Sequence, residues 1–232
     1  MCLILVAWQQ HPSFPLVVAA NRDEFHARPA APAAFWPDHP GILAGRDLQA
    51  GGTWLGVTRD GKFASVTNYK GGHDPNAAES RGALVTNFLL NSLNPGSYFS
   101  ETSKKKNNYS GFNLLAADRE ELWWMSNRDG GSRRLDPGFY ALGNLLLDTP
   151  EVMEVKARFE NTAVAIEPLF TFLSAAKIVN GSYGTRCSTV LLADAGGRMQ
   201  FAERPFDADG NAGVTVRYEF MPAKSPAASA GA

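Results

Sequence analysis

The sequence predicts an α+β chain: a four-layer α-β-β-α sandwich in which two stacked antiparallel sheets are covered on their outer faces by helices. Three observations carry this. Short apolar or alternating runs bounded by Gly, Pro, Asn and Asp recur along the chain and give nine or ten strands. Several of these runs are separated by turn signals short enough for hairpins, which makes the sheets antiparallel. Three amphipathic stripes at helical spacing are grouped between strand blocks instead of alternating with single strands.

Taken in order, residues 2–8 (Cys2-Leu3-Ile4-Leu5-Val6-Ala7-Trp8) and Leu16-Val17-Val18-Ala19-Ala20 are apolar on both alternating faces, the pattern of strands buried on both sides. A turn containing Pro12 separates them. If they pair about residues 9–14, positions whose numbers sum to about 23 lie opposite one another, so Asn21 is expected to face Cys2. The polar cluster Asn21-Arg22-Asp23-Glu24 then arrives within about 5–8 Å of Cys2, the spacing of cross-strand neighbours. A second hairpin joins residues 53–58 to 62–67 across Asp60-Gly61, a strong two-residue turn signal. Further strands are expected at 112–117, 122–126, 139–142, 188–193, 199–203 and 214–220.

The helical stripes are Leu84, Val85, Phe88, Leu89 and Leu93, then Val152, Val155 and Phe159, then Ile166, Leu169, Phe170 and Leu173. Thr149 and Pro150 mark the start of the second as N-cap and first-turn residue. Residues 71–79 and the basic run Ser103-Lys104-Lys105-Lys106-Asn107-Asn108 read as loops. Residues 222–232 read as a disordered Pro/Ala/Ser tail behind a single domain of residues 1–221.

Charge and composition exclude several classes. With 22 basic and 23 acidic residues the chain is nearly neutral and carries no electrostatic footprint for nucleic acid. No segment reaches membrane-spanning length, and the apolar N-terminal run lacks the basic region and cleavage motif of a signal peptide. Two cysteines, Cys2 and Cys187, make neither a disulfide framework nor a zinc site, so no metal is expected and a reducing, cytoplasmic setting fits.

Cys2 holds the most chemistry. With Met1 removed it carries a thiol nucleophile and a free α-amine on one residue. An α-amine titrates near pH ~8, about two units below lysine, so at neutral pH part of it is free to take the thiol proton.

The Asn21-Arg22-Asp23-Glu24 motif behind Cys2 and two apolar strands resembles the NRDE family, also called the Transport and Golgi organisation 2 family. Supporting matches are Gly51-Gly52-Thr53-Trp54-Leu55-Gly56, Thr67-Asn68-Tyr69, Ser80-Arg81-Gly82, Gly111-Phe112-Asn113-Leu114, Leu142-Gly143-Asn144 and Tyr183-Gly184-Thr185-Arg186-Cys187. That family is similar to the cysteine-type N-terminal-nucleophile hydrolases, which share the α-β-β-α sandwich. The resemblance implies Cys2 as nucleophile and base, Asp23 orienting the α-amine, and Arg22 lowering the thiol pKa. It further implies Asn68 and Asn144 as oxyanion donors and Arg186 as a second cation, with Asn21 and Glu24 beside the ligand. Arg22 and Asp23 are adjacent and would point to opposite faces of a strand.

Two functions follow from these residues. One is amide hydrolysis of a small acylated molecule through Cys2, needing no cofactor, with Trp54, Phe63, Tyr69 and Phe139 as candidates for an apolar pocket. The other, implied by the family, is non-catalytic binding: haem trafficking, or capture of a lipid or acyl-CoA. Haem would be ligated by Cys2 or by one of His11, His26, His39 and His73, without a Cys-x-x-Cys-His attachment motif. Each residue also has a plainer reading: Cys2 and Cys187 as core residues, the 21–24 cluster as locally paired charges, Asn68 and Asn144 as turn residues.

Overall fold

A computed structural model describes residues 2–221; Met1 and the tail at 222–232 lie outside the described residues. In chain order the strands are β1 (Leu3–His11), β2 (Phe14–Phe25), β3 (Ala30–Phe35), β4 (Ile42–Asp47), β5 (Leu55–Thr58), β6 (Phe63–Asn68), β7 (Phe112–Ala117), β8 (Leu122–Ser126), β9 (Ser132–Leu135), β10 (Gly138–Leu142), β11 (Val179–Asn180), β12 (Tyr183–Ala193), β13 (Met199–Pro205) and β14 (Val216–Phe220). The helices are α1 (Arg81–Leu90) and α2 (Pro95–Lys104) between β6 and β7, and α3 (Pro150–Glu160) and α4 (Ile166–Ser174) between β10 and β11.

Two antiparallel sheets result. One runs β10-β1-β2-β12-β13-β14 with β11 added on β12; the other is the meander β3-β4-β5-β6-β7-β8-β9. Three apolar layers hold the sandwich. Between the sheets, Ile4, Val6 and Trp8 of β1 and Val18 of β2 meet Leu43, Leu55, Phe63 and Leu115 of the other sheet. Outside the second sheet, Leu84, Val85 and Phe88 of α1 and Phe99 of α2 pack on Ala64, Leu114 and Ala116. Outside the first, Val152, Phe159, Leu169 and Phe170 of α3 and α4 cover Leu3, Leu5, Val17 and Ala19. The α-β-β-α order is therefore the one expected, and both β1 and β2 are buried on both faces because each face has its own layer.

Several expectations need correction. Fourteen strands are found among the described residues, because β3, β4, β9 and β11 carry little alternation. In β3 only Ala33 is buried, so an edge strand leaves almost no apolar pattern to read. A fourth helix, α2, takes in part of the run expected as a basic loop: Asn94 caps it by accepting the Ser97 N–H at 2.8 Å, Pro95 opens it, and Tyr98, Phe99 and Thr102 are its inward face. A 3-10 turn follows at Lys106–Asn108. Thr149 does occupy the N-cap position of α3, but its side chain makes no capping bond.

The first hairpin is tighter than expected and its register differs by one. The chain reverses at Pro12 and Ser13, with an irregularity between Trp8 and His11 where Gln9 takes φ 52°. That extra residue in β1 pairs Leu3 with Asn21 and Ile4 with Ala20, so Asn21 does not face Cys2. Carried one step further, the ladder sets Arg22 across from Cys2. Because strand side chains alternate, a slip of one exchanges the two faces, and this decides which residues meet the thiol.

Candidate active site

By the alternation along β1 and β2, Cys2 and Arg22 stand on the side facing the other sheet, with Ile4 and Ala20, whereas Asn21 and Asp23 stand on the side facing α4. The expected divergence of Arg22 and Asp23 is thus present. Cys2 lies where two spaces meet. Above it is a polar cleft of about 100 Å³ whose charged walls are Arg22, Asp23, Glu24, Arg28, Asp47 and Arg81. Below it is a recess of about 20 Å³, lined by Ile4, Ala20, Leu55, Val66 and Thr189 among others, with room for roughly one water-sized group.

The thiol is tied to the backbone of Asp23. Its Sγ is 3.4 Å from the Asp23 carbonyl, to which it donates, and 3.4 Å from the Asp23 nitrogen, whose N–H it accepts. Burial pushes the Cys2 thiol above its ordinary pKa, the Asp23 charge adds to this, and the Asp23 N–H and the Arg22 charge act against it. The thiol is therefore protonated at neutral pH, and nucleophilic attack requires a base. Cys187, buried beside Glu203, is pushed far higher and is inert by the same reasoning.

Arg22 is 7% exposed, and its guanidinium lies 4.2 Å from the centre of the Trp54 ring. It makes no hydrogen bond to another described residue, so its N–H groups remain available to an anion in the cleft. Trp54 reaches this position because Gly45 has no side chain: a Cβ there would sit 2.3 Å from the indole. Asp23 accepts the Thr185 hydroxyl at 2.6 Å, and its carbonyl also receives the Tyr183 hydroxyl at 3.4 Å. Glu24 accepts the Phe25 N–H at 2.9 Å and lies 3.9 Å from Arg28, which is held mainly by Asp47 at 2.7 Å. Burial alone would raise Asp47, but the Ala50 N–H and the Arg28 guanidinium hold its carboxyl below the usual range.

The remaining sequence candidates divide. Asn68, at the end of β6, lines the cleft, and its carboxamide is uncommitted to any described residue. Asn144 stands one step away: its Nδ2 donates to the Asn68 carbonyl at 2.8 Å, and its own carbonyl accepts the Lys70 N–H at 2.6 Å. Asn21 is spent on packing, donating to the Leu173 carbonyl of α4 at 3.0 Å and accepting the Ser188 hydroxyl at 2.6 Å. Arg186 sits in the irregularity between Thr185 and Cys187 of β12 and donates to the Phe25 and Arg28 carbonyls, each at 2.9 Å, outside the walls of the cleft. Of the four aromatics, Trp54 lines the cleft; Tyr69 is half-buried just past β6, its N–H on the Gly111 carbonyl, and is not among the cleft's walls; Phe63 is core, and Phe139 packs edge-on to Phe159 beneath α3.

Arg28, Asp47 and Arg81 are cleft residues the sequence reading did not assign. Arg81 had a signal in Ser80-Arg81-Gly82, whose purpose is now visible. Ser80 caps α1 by accepting the Gly82 N–H at 3.3 Å, and the loop at Gly51 to Thr53 presses on this helix start: a Cβ at Gly52 would lie 2.7 Å from the Gly82 carbonyl carbon. Both glycines let backbone meet backbone, and that contact delivers Arg81 and the N-terminus of α1 to the cleft. Arg28 and Asp47 had no motif, since their pairing joins the turn after β2 to the end of β4.

Comparison with known proteins agrees with this architecture. A mouse Transport and Golgi organization 2 homolog is 31% identical over 272 aligned residues, covering 95% of this chain and 99% of the relative. The human homolog is 32% identical with the same coverage. Among solved structures, the mutant C2A of conjugated bile acid hydrolase from Clostridium perfringens superposes with a TM-score of 0.54 at 8% identity, covering 99% of this chain and 100% of that one. At that identity the likeness speaks to the fold, which is that of the N-terminal-nucleophile hydrolases. The sequence model described as Transport and Golgi organisation 2 matches residues 1–167, and with the mouse and human relatives matched over nearly their whole lengths, the chain belongs to the Transport and Golgi organisation 2 family.

Proposed function

We propose that the chain is a cysteine amidohydrolase acting on small acylated molecules, with Cys2 as an N-terminal nucleophile after loss of Met1. The observation that carries the reading is the position of the Cys2 thiol at the junction of a polar, charge-lined cleft and a small apolar recess. A scissile amide placed there has polar partners on one side and an apolar wall on the other. The α-amine takes the thiol proton and the sulfur attacks the acyl carbon. The resulting oxyanion accepts from the Asn68 carboxamide, with Asn144 bracing the Asn68 backbone. The ammonium returns its proton to the leaving amine, a thioester remains, and water attacks it to free the acid. The Asp23 charge favours the ammonium form during this exchange, and Arg22 favours the thiolate.

A second reading, ligand binding without turnover, is favoured by the three guanidiniums of Arg22, Arg28 and Arg81 around one cleft, which suit propionates or acyl-CoA phosphates. For haem the fit is poor. Of the candidate ligands only Cys2 lines the cleft, none of the four histidines does, and a cleft of about 100 Å³ would have to widen before it took a macrocycle. The test is a panel of N-acyl amides assayed with the wild-type chain and Cys2→Ser, beside absorbance titrations with haem. Turnover lost in Cys2→Ser supports the hydrolase; tight haem binding with no Cys2-dependent turnover overturns it.

A further inference from the structure

Glu203 of β13 is a carboxylate in the layer between the sheets, 2% exposed, and nothing in the proposed reaction uses it. A buried carboxylate is costly unless it is paired or well hydrogen-bonded. Its Oε1 accepts the Ala33 N–H of β3 at 2.7 Å, and its Oε2 accepts the Thr189 hydroxyl at 3.4 Å. The Cys187 thiol, on the same face of β12, is a third neighbour. Burial pushes the Glu203 carboxyl above the usual carboxylate range, while these three neighbours and the Arg22 charge favour its ionised form.

The strand ladders connect this group to Cys2. Glu203 pairs with Thr189 and Cys187 pairs with Arg22, and all four side chains share the inter-sheet face on which Cys2 stands. Thr189 and Arg22 both line the recess below the thiol. Arg22 is more than nine-tenths buried, stacked on Trp54, without a hydrogen bond or ion pair to another described residue. Glu203 stands two strands along the same face, with Cys187 between them, and is the buried carboxyl whose ionised form the Arg22 charge favours.

We infer that Glu203 is a positioning residue: its buried carboxylate holds the Arg22 guanidinium in place beside the Cys2 thiol. The inference rests on the Cys2 thiol being the reactive group of the proposed function, but not on any substrate. Other groups whose charges bear on Cys2 or Arg22 are Asp23 on β2, Tyr183, Arg186 and Cys187 on β12, and Arg81 at the start of α1, and Glu24 on β2 acts on Tyr183, Arg186 and Arg81 in turn. Of these, Cys187 itself meets Glu203 and is scored separately in the test; the others have no contact with Glu203, so a shift at Cys2 reports the Glu203–Arg22 link.

The test is the pH profile of Cys2 alkylation by iodoacetamide on the full chain, read by peptide mass so that Cys187 is scored separately. In Glu203→Gln the midpoint is expected to move up, with alkylation at neutral pH about three- to tenfold slower. Removal of a distant negative charge by itself would move it down, so the sign separates the two effects. In an Arg22→Gln background, Glu203→Gln is expected to add nothing, as for residues acting through one another. An unchanged or lowered midpoint in Glu203→Gln, or an equal further shift on top of Arg22→Gln, overturns the inference. Should Glu203→Gln not fold, Glu203→Asp, which keeps the charge but withdraws it by one methylene, carries the same expected upward shift and the same contrary result. An upward shift in a chain that hydrolyses none of the N-acyl panel leaves the positioning role standing and removes only the hydrolase.

Discussion

At the scale of single residues, Cys2 stands in the charged cleft with a thiol held protonated by burial and the Asp23 charge. The raised pKa of both thiols has a consequence for stability. A thiol whose folded pKa lies above its unfolded value stabilises the fold fully below the unfolded value, near pH ~8.5, and that contribution is lost as pH rises through the folded one. Unfolding free energy from urea titrations is therefore expected to fall as pH rises above about 8.5, and to fall less steeply in Cys187→Ala. An identical slope in the variant would show that Cys187 does not ionise later in the fold than in the unfolded chain. Cys2, Arg22, Asp23, Glu24 and Asn68 were legible as neighbours because two of them sit beside strand ends and three in one motif. Arg28, Asp47 and Glu203 were not, because each acquires its role only through a partner distant in the chain.

At the scale of elements, the contact between the Gly51–Gly52–Thr53 loop and the start of α1 sets where Arg81 stands. Gly52→Ala drives a Cβ into the Gly82 backbone and is expected to cost about 1–3 kcal/mol by thermal or urea unfolding. Gly131→Ala, where a Cβ would meet nothing within 4 Å, is expected to stay within about 0.5 kcal/mol of wild type. Equal losses in the two variants would contradict the close-approach argument. Ser80→Ala, which removes the cap on the Gly82 N–H, is expected to cost about 1 kcal/mol. The strands and helices with a strong period were readable in sequence: β1, β2, β7, β12, α1 and α4. Edge strands β3 and β9 bury only one residue each, and α2 buries only three side chains past its opening proline, so neither pattern stands out. The register of the first hairpin was missed because a one-residue irregularity at Gln9 leaves no mark in the composition of the strand.

At the scale of the whole molecule, one apolar layer joins both sheets while each sheet has its own helical cover, so neither half buries its surface alone. The described residues are accordingly expected to unfold in one cooperative step, with coincident tryptophan fluorescence and circular dichroism transitions; two separated transitions would contradict this. No helix among the described residues is long and apolar enough to cross a membrane. What the sandwich supplies is a buried pair of strands that brings Cys2 into a charged cleft. The central claim is that this residue works as an N-terminal nucleophile, and the intact mass of the purified, folded chain tests it most directly. The mass expected is that of a chain beginning at Cys2; a chain that keeps Met1 has no α-amine on Cys2 and contradicts the claim.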